Sequence, residues 1–235
     1  MDGGRGRRSR VTFWLGIGCV VAGLALLGYV GWQFLGTNIV SERRQKETVA
    51  QLEQQWSEPP TVVEGDPERP NERAEPAAVP LGQPSALIRI PRFGDDYVMP
   101  VLEGVADDVL ARGFGHFEDS ARAGGRGNYA LAAHRVTHGE PLRDMPSLRP
   151  GDQVIVETRD SVFTYELDTD PNALVVTFRD VWVVDEKPEN PDPSGVGPVD
   201  DPHLITLTTC AELFHTDDRM IAFGHLVSAR AKQPA

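Results

Sequence analysis

The run H-L-I-T-L-T-T-C, from His203 to Cys210, has the length and the β-branched and apolar content of a strand, and it gives way abruptly to the polar A-E-L-F-H-T-D-D-R ending at Arg219. Its last residue is the only cysteine outside an apolar N-terminal run, which holds the other, Cys19. The two are not expected to meet, so Cys210 has no intrachain disulfide partner. Working outward, seven further segments share the same character: A-L-I-R-I-P, Y-V-M-P-V-L, N-Y-A-L-A-A-H, D-Q-V-I-V-E-T, S-V-F-T-Y-E-L, V-W-V-V-D and R-M-I-A-F-G-H-L-V. Eight short strands bordered by turn residues predict a mainly β domain, either a closed barrel or a sandwich. Helical periodicity stands out only around V-A-D-D-V-L-A-R-G, and R-P-G-D before Gln153 marks a turn.

This domain starts near Ser85, and about 150 residues can bury a core without disulfides. The net charge of −12 excludes nucleic acid as a partner class, because phosphate binding needs clustered Lys and Arg. The exception to the acidity is the N-terminal tail, with Arg5, Arg7, Arg8 and Arg10. Residues Val11 to Leu35 follow, 25 residues without a charge. A helix needs roughly 20 apolar residues to cross a bilayer, and no small-residue cleavage site follows, so the segment reads as an uncleaved transmembrane anchor. Four Arg before it against Arg43, Arg44 and Lys46 after it favour a cytoplasmic N-terminus and an extracytoplasmic domain. Trp14 and Trp32 suit the two interfaces.

Residues Ser41 to Trp56 are polar with a stripe at Val49, Leu52 and Trp56, which predicts a juxtamembrane helix. Seven prolines among Glu, Asp and Gly from Ser57 to Pro84 predict an extended stalk. The expected organisation is therefore a basic tail over 1–10, an anchor over 11–35, a juxtamembrane helix and Pro-rich stalk over 36–84, and a β domain over 85–235. Anchor and stalk are expected to contribute location rather than chemistry.

A lone thiol in an oxidising compartment is a poor passive core residue, and reactivity would justify keeping it. A thiol nucleophile also needs a base, since free cysteine with a pKa of about 8.5 is mostly protonated at neutral pH. Six histidines are available. His134 closes the strand A-L-A-A-H, where a side chain can reach a rim. His138 lies in the loop that follows, His116 in a Gly-flanked turn, His203 at the start of the cysteine strand, His215 in the loop after it and His225 within the last strand. Arg219 opens the next strand, where an antiparallel return can set it beside the thiol to steady an oxyanion. The acidic segment Asp185 to Pro202 has no ligand spacing as specific as a calcium loop, and no metal or cofactor is called for.

Taken together, these residues resemble the sortase family. Thr206-Leu207-Thr208-Thr209-Cys210 matches its T-L-x-T-C signature, an arginine (Arg219) opens the next strand, and A-A-H-R-V-T-H-G-E-P-L resembles the histidine segment of class E sortases. The separation of His134 and Cys210, 76 residues, is also of the family's kind. One departure is His138, where class E relatives are expected to carry an aromatic residue such as tyrosine.

The resemblance implies a closed eight-stranded β-barrel with one or two short helices behind a single transmembrane helix. It implies Cys210 as nucleophile, His134 as acid/base partner and Arg219 as the group that positions substrate and steadies the oxyanion. The implied reaction cleaves an L-P-x-T-G or L-A-x-T-G sorting signal between Thr and Gly, through a thioester. The implied partners are secreted proteins carrying that signal and an amine from a cell-wall precursor or pilin. Competing readings are a cysteine L,D-transpeptidase and an inactive extracytoplasmic binding domain. The former would place Ser-His-Gly before the cysteine, where this chain has Leu207-Thr208-Thr209.

Overall fold

A computed structural model describes residues 5–32, 36–57, 79–211 and 217–232. The end of the anchor read from sequence (33–35), most of the Pro-rich segment (58–78) and His215 lie outside the described residues.

Nine strands form the domain: β1 (Pro84–Arg89), β2 (Met99–Glu103), β3 (Phe114–His116), β4 (Gly127–Ala132), β5 (Gln153–Glu157), β6 (Ser161–Leu167), β7 (Val175–Thr177), β8 (His203–Cys210) and β9 (Asp218–Ala231). Eight of them close into a barrel in the order β6-β5-β1-β2-β3-β4-β8-β9, with β9 pairing back onto β6. The short β7 adds to the first residues of β9, on the edge that β6 takes further along. Where β9 meets β6, Gly224 is required, because a Cβ there would overlap the Glu166 carbonyl. Two pairings are parallel, β2 with β3 and β4 with β8; the others are antiparallel.

Side chains alternate across each strand, so one face of every strand fills the barrel. On β8 the inward residues Ile205 and Leu207 are fully buried with Leu131 of β4 and Ala222 of β9. Burying one such leucine contributes about 1.5–3 kcal/mol. The outward face of β9 carries a second apolar layer, in which Ile221 and Phe223 pack against Val183. That layer corrects one strand assignment. V-W-V-V-D is not a strand but a 3-10 turn, Val181–Val184, laid over the outside of the sheet. A short buried apolar run has the same composition in either form, so periodicity does not separate them. The eighth barrel strand is instead β3, three residues long and ending at His116, which the sequence suggested was a turn. One turn of helix, α3 (Asp107–Leu110), forms within the predicted helical segment.

Two longer helices precede the barrel. The first, α1 (Arg5–Gly31), contains Phe13–Gly31, long and apolar enough to cross a membrane by length and composition. The second, α2 (Thr37–Ser57), lies on the barrel wall. Its stripe does what its spacing implies: Val49 and Leu52 bury against Leu87 of β1, with Trp56 and Val98 beside them. Glu53 pairs with Arg89 at 3.1 Å, and the Lys232 ammonium sits 4.5 Å from the Trp56 ring centre. The chain therefore leaves α2 on the barrel surface before the Pro-rich segment and enters the barrel again at β1.

Candidate active site

Cys210 and Arg219 are set by a ladder. The β8–β9 register pairs Thr208 with Ile221, Thr209 with Met220 and Cys210 with Arg219. Directly opposed residues on antiparallel strands point to the same face with their Cβ atoms about 5 Å apart. Thr209 and Met220 lie on the buried side, so Cys210 and Arg219 share the outer face. The turn beyond them is tied by the Ala211 amide, which donates to the Asp218 carbonyl at 3.0 Å. Arg219 Nη1 donates to that same carbonyl at 3.0 Å, which anchors the guanidinium at the strand end. Cys210 is half-buried, at the last position of β8.

His134 comes from the other neighbour of β8. The parallel β4–β8 register runs to Ala132 opposite Thr208, and the Ala133 amide continues it by donating to the Thr208 carbonyl at 3.2 Å. The Thr209 hydroxyl then donates to the Ala133 carbonyl at 2.7 Å. Two residues beyond Ala132–Thr208, the same alternation brings His134 level with Cys210 on the outer face. The three residues chosen from the sequence thus converge at the same end of three adjacent strands, in the order His134, Cys210, Arg219.

Unlike the other two, His134 stands past the end of its strand, at the base of a loop. The Leu142 amide donates to the His134 carbonyl at 2.9 Å and closes the loop, and the hydroxyl of the half-buried Tyr97 donates to the Pro141 carbonyl at 2.6 Å. Burial raises the Tyr97 hydroxyl above its ordinary pKa, as does the nearby Asp144 charge, so it stays a donor. The His138 ring stacks on the His134 ring, with centres 4.7 Å apart and planes 28° from parallel. His138 therefore occupies the place of the aromatic residue expected there. Burial holds its pKa below the ordinary 6.5, against the opposing pull of the Asp107 carboxylate, and so favours the neutral ring.

The remaining described histidines are committed elsewhere. His116 is buried between Glu103, at 2.8 Å, and the Ala121 carbonyl, at 2.9 Å. His203 faces the Gly125 carbonyl at the far end of β8, and His225, on β9 opposite Leu204, faces Asp168. Sequence reasoning passed over Arg135. Its guanidinium donates to the Ala211 carbonyl and, at 3.5 Å, to the Cys210 carbonyl, bridging the histidine segment to the end of the cysteine strand. Its place next to His134 was the available signal.

Comparison with known proteins bears on the family and the fold. The family model described as "Sortase domain" matches residues 88–227. Sortase SrtE1 of Streptomyces coelicolor is 33% identical over 221 residues, covering 91% of this chain. The chain spans 56% of that relative's length. The solved structure of sortase E from Streptomyces avermitilis is 38% identical, with a TM-score of 0.56, covering 65% of this chain and 93% of that one. Sortase E1 of Streptomyces coelicolor, solved with a tripeptide in its active site, is 35% identical with a TM-score of 0.54, covering 66% of this chain and 94% of that one.

Proposed function

Since the chain belongs to the sortase family of cysteine transpeptidases and is most like its class E members, we propose that Cys210, His134 and Arg219 carry out transpeptidation of a sorting signal. The observation that carries this reading is their convergence at one barrel end: Cys210 opposes Arg219 in the ladder, and His134 follows the last residues of β4 alongside.

In the proposed reaction the Cys210 thiolate attacks the threonine carbonyl of an L-P-x-T-G or L-A-x-T-G signal. Negative charge then develops on the carbonyl oxygen, where the Arg219 guanidinium, fixed at the strand end by the Asp218 carbonyl, stabilises it. As the tetrahedral adduct collapses, the Thr–Gly bond breaks, and protonated His134 gives its proton to the departing glycine amine. The threonine carbonyl is left as a thioester on Cys210. An amine from a cell-wall precursor or pilin attacks that thioester and loses a proton to His134, and the thiolate departs. The clients are secreted proteins bearing the signal. The apolar helix α1 anchors the enzyme, with the barrel on the extracytoplasmic side.

The test is incubation of the chain with both peptide types and an amine, with products read by mass. The expected products are a threonine–amine adduct and a fragment beginning with glycine. Their appearance with Cys210→Ala would overturn the proposal.

A further inference from the structure

Between His134 and Leu142 the backbone does something unusual. Three consecutive residues, His138, Gly139 and Glu140, have φ of +56°, +80° and +50°. Two of them carry a Cβ, for which this left-handed region is unfavourable, and such a run persists only where its surroundings hold it. Within the loop, the Glu140 amide donates to the Thr137 carbonyl at 3.1 Å. The Arg143 amide donates to the Glu140 carbonyl at 3.0 Å and its guanidinium to Glu140 Oε2 at 2.6 Å, and further restraints on the run come from outside the barrel, from α2. Gln45 Nε2 donates to the His138 carbonyl at 2.9 Å. The Gly139 amide donates to Asn38 Oδ1 at 3.0 Å, and Asn38 Nδ2 donates to Glu140 Oε1 at 2.7 Å. Gln45 is buried, and it packs so closely that a Cβ on Gly139 would overlap its amide. All three residues of the left-handed run thus bond to two side chains of one helix.

From these contacts we infer that α2 is a clamp on the histidine loop: Asn38 and Gln45 fix the 138–140 turn, and through the His138–His134 stack they set the orientation of the His134 ring. The inference rests on the reading of His134 as acid/base partner. The two side chains are positioning residues, since they act through the loop and touch no reacting atom. It also departs from the expectation that everything ahead of Ser85 contributes location alone. The apolar contacts of Val49 and Leu52 with Leu87 hold the helix to the barrel, and its polar residues about one and three turns before Val49 reach the histidine loop.

The test exchanges the Asn38–Glu140 pair in the full chain, held in detergent. Asn38→Asp keeps the acceptor for the Gly139 amide but sets a carboxylate against the Glu140 carboxylate. Adding Glu140→Gln reverses the pair and restores a donor between the two positions. With an L-x-x-T-G peptide and an amine, Asn38→Asp is expected to lower kcat roughly 10- to 100-fold, the scale of a misplaced catalytic group. KM, the melting temperature and the rate of Cys210 alkylation should stay near wild type, and the double variant should recover most of kcat. A wild-type kcat for Asn38→Asp would overturn the inference, as would a loss that the double variant fails to recover or that appears equally in alkylation. His134→Ala, assayed alongside, separates the two layers. Full activity there would remove the acid/base reading itself, whereas an inactive His134→Ala beside an unaffected Asn38→Asp would remove the clamp alone.

Discussion

The two sides of Cys210 are built by different means. On one side, Arg219 is positioned by the β8–β9 ladder, a run of backbone hydrogen bonds in which a one-residue slip would turn every side chain to the wrong face. On the other, His134 lies beyond the last residue of β4, and its ring is oriented by a loop whose conformation depends on a distant helix. Cys210 and Arg219, the proposed nucleophile and oxyanion group, stand on paired strands of the barrel. His134, the proposed proton carrier, stands outside any strand, at the base of a loop held by turn and side-chain hydrogen bonds. Substitutions on the ladder side should therefore act through chemistry at fixed geometry, and those on the loop side through geometry at fixed chemistry.

The largest effect should come from Cys210→Ala, which leaves the ladder intact and removes the bond-forming atom. Peptide turnover is expected to fall about 10⁴-fold or more, with an unchanged melting curve. Next, His134→Ala should come within roughly tenfold of that loss, because residues acting as a unit are not additive. If His138→Ala were the inactive variant and His134→Ala the active one, the loop side would have been assigned to the wrong ring. Arg219→Lys should then cost roughly 100-fold in turnover, since a mobile ammonium replaces a rigid fork that can hold two acceptors. Alkylation of Cys210 forms no oxyanion, so it should change far less. Equal loss in both assays would show that Arg219 acts on the thiol rather than on the carbonyl oxygen.

The smallest effect concerns pH and belongs to the loop side alone. The folded pKa of His138 lies below its ordinary 6.5, so the unfolded chain binds more protons as the pH drops through that value. Its contribution to stability is present above pH 6.5 and is lost on descent towards the folded pKa. His138→Phe keeps a ring against His134 and removes the titration. Melting temperatures measured from pH 8 to 5 should fall less steeply for this variant than for wild type, and parallel curves would count against the assignment.

Legibility followed the same division. Thr206 to Cys210 could be read because a strand is a local pattern, and the resemblance to sortases rests on its residues. Arg219 followed from chain order alone. The juxtamembrane helix was visible in the spacing of Val49, Leu52 and Trp56, but its role was not, because neither Asn38 nor Gln45 has any sequence relation to Gly139, about a hundred residues away. The left-handed run was hidden for another reason: His138 and Glu140 are not residues whose presence announces positive φ. Likewise, V-W-V-V-D looked like a strand because its burial comes from the sheet it covers.

The direction in which α2 runs has a spatial consequence. Asn38 is its second residue, and only five residues separate its start from the end of α1, a gap of at most about 20 Å. The contacts of Glu53 and Trp56 with the barrel lie at the opposite end of a helix roughly 30 Å long. The histidine loop is thus tied to the α1 end of this helix and the Glu53–Arg89 pair to its far end. Under the proposed anchoring by α1, the loop that carries His134 is tethered to the chain within seven residues of the anchor's end.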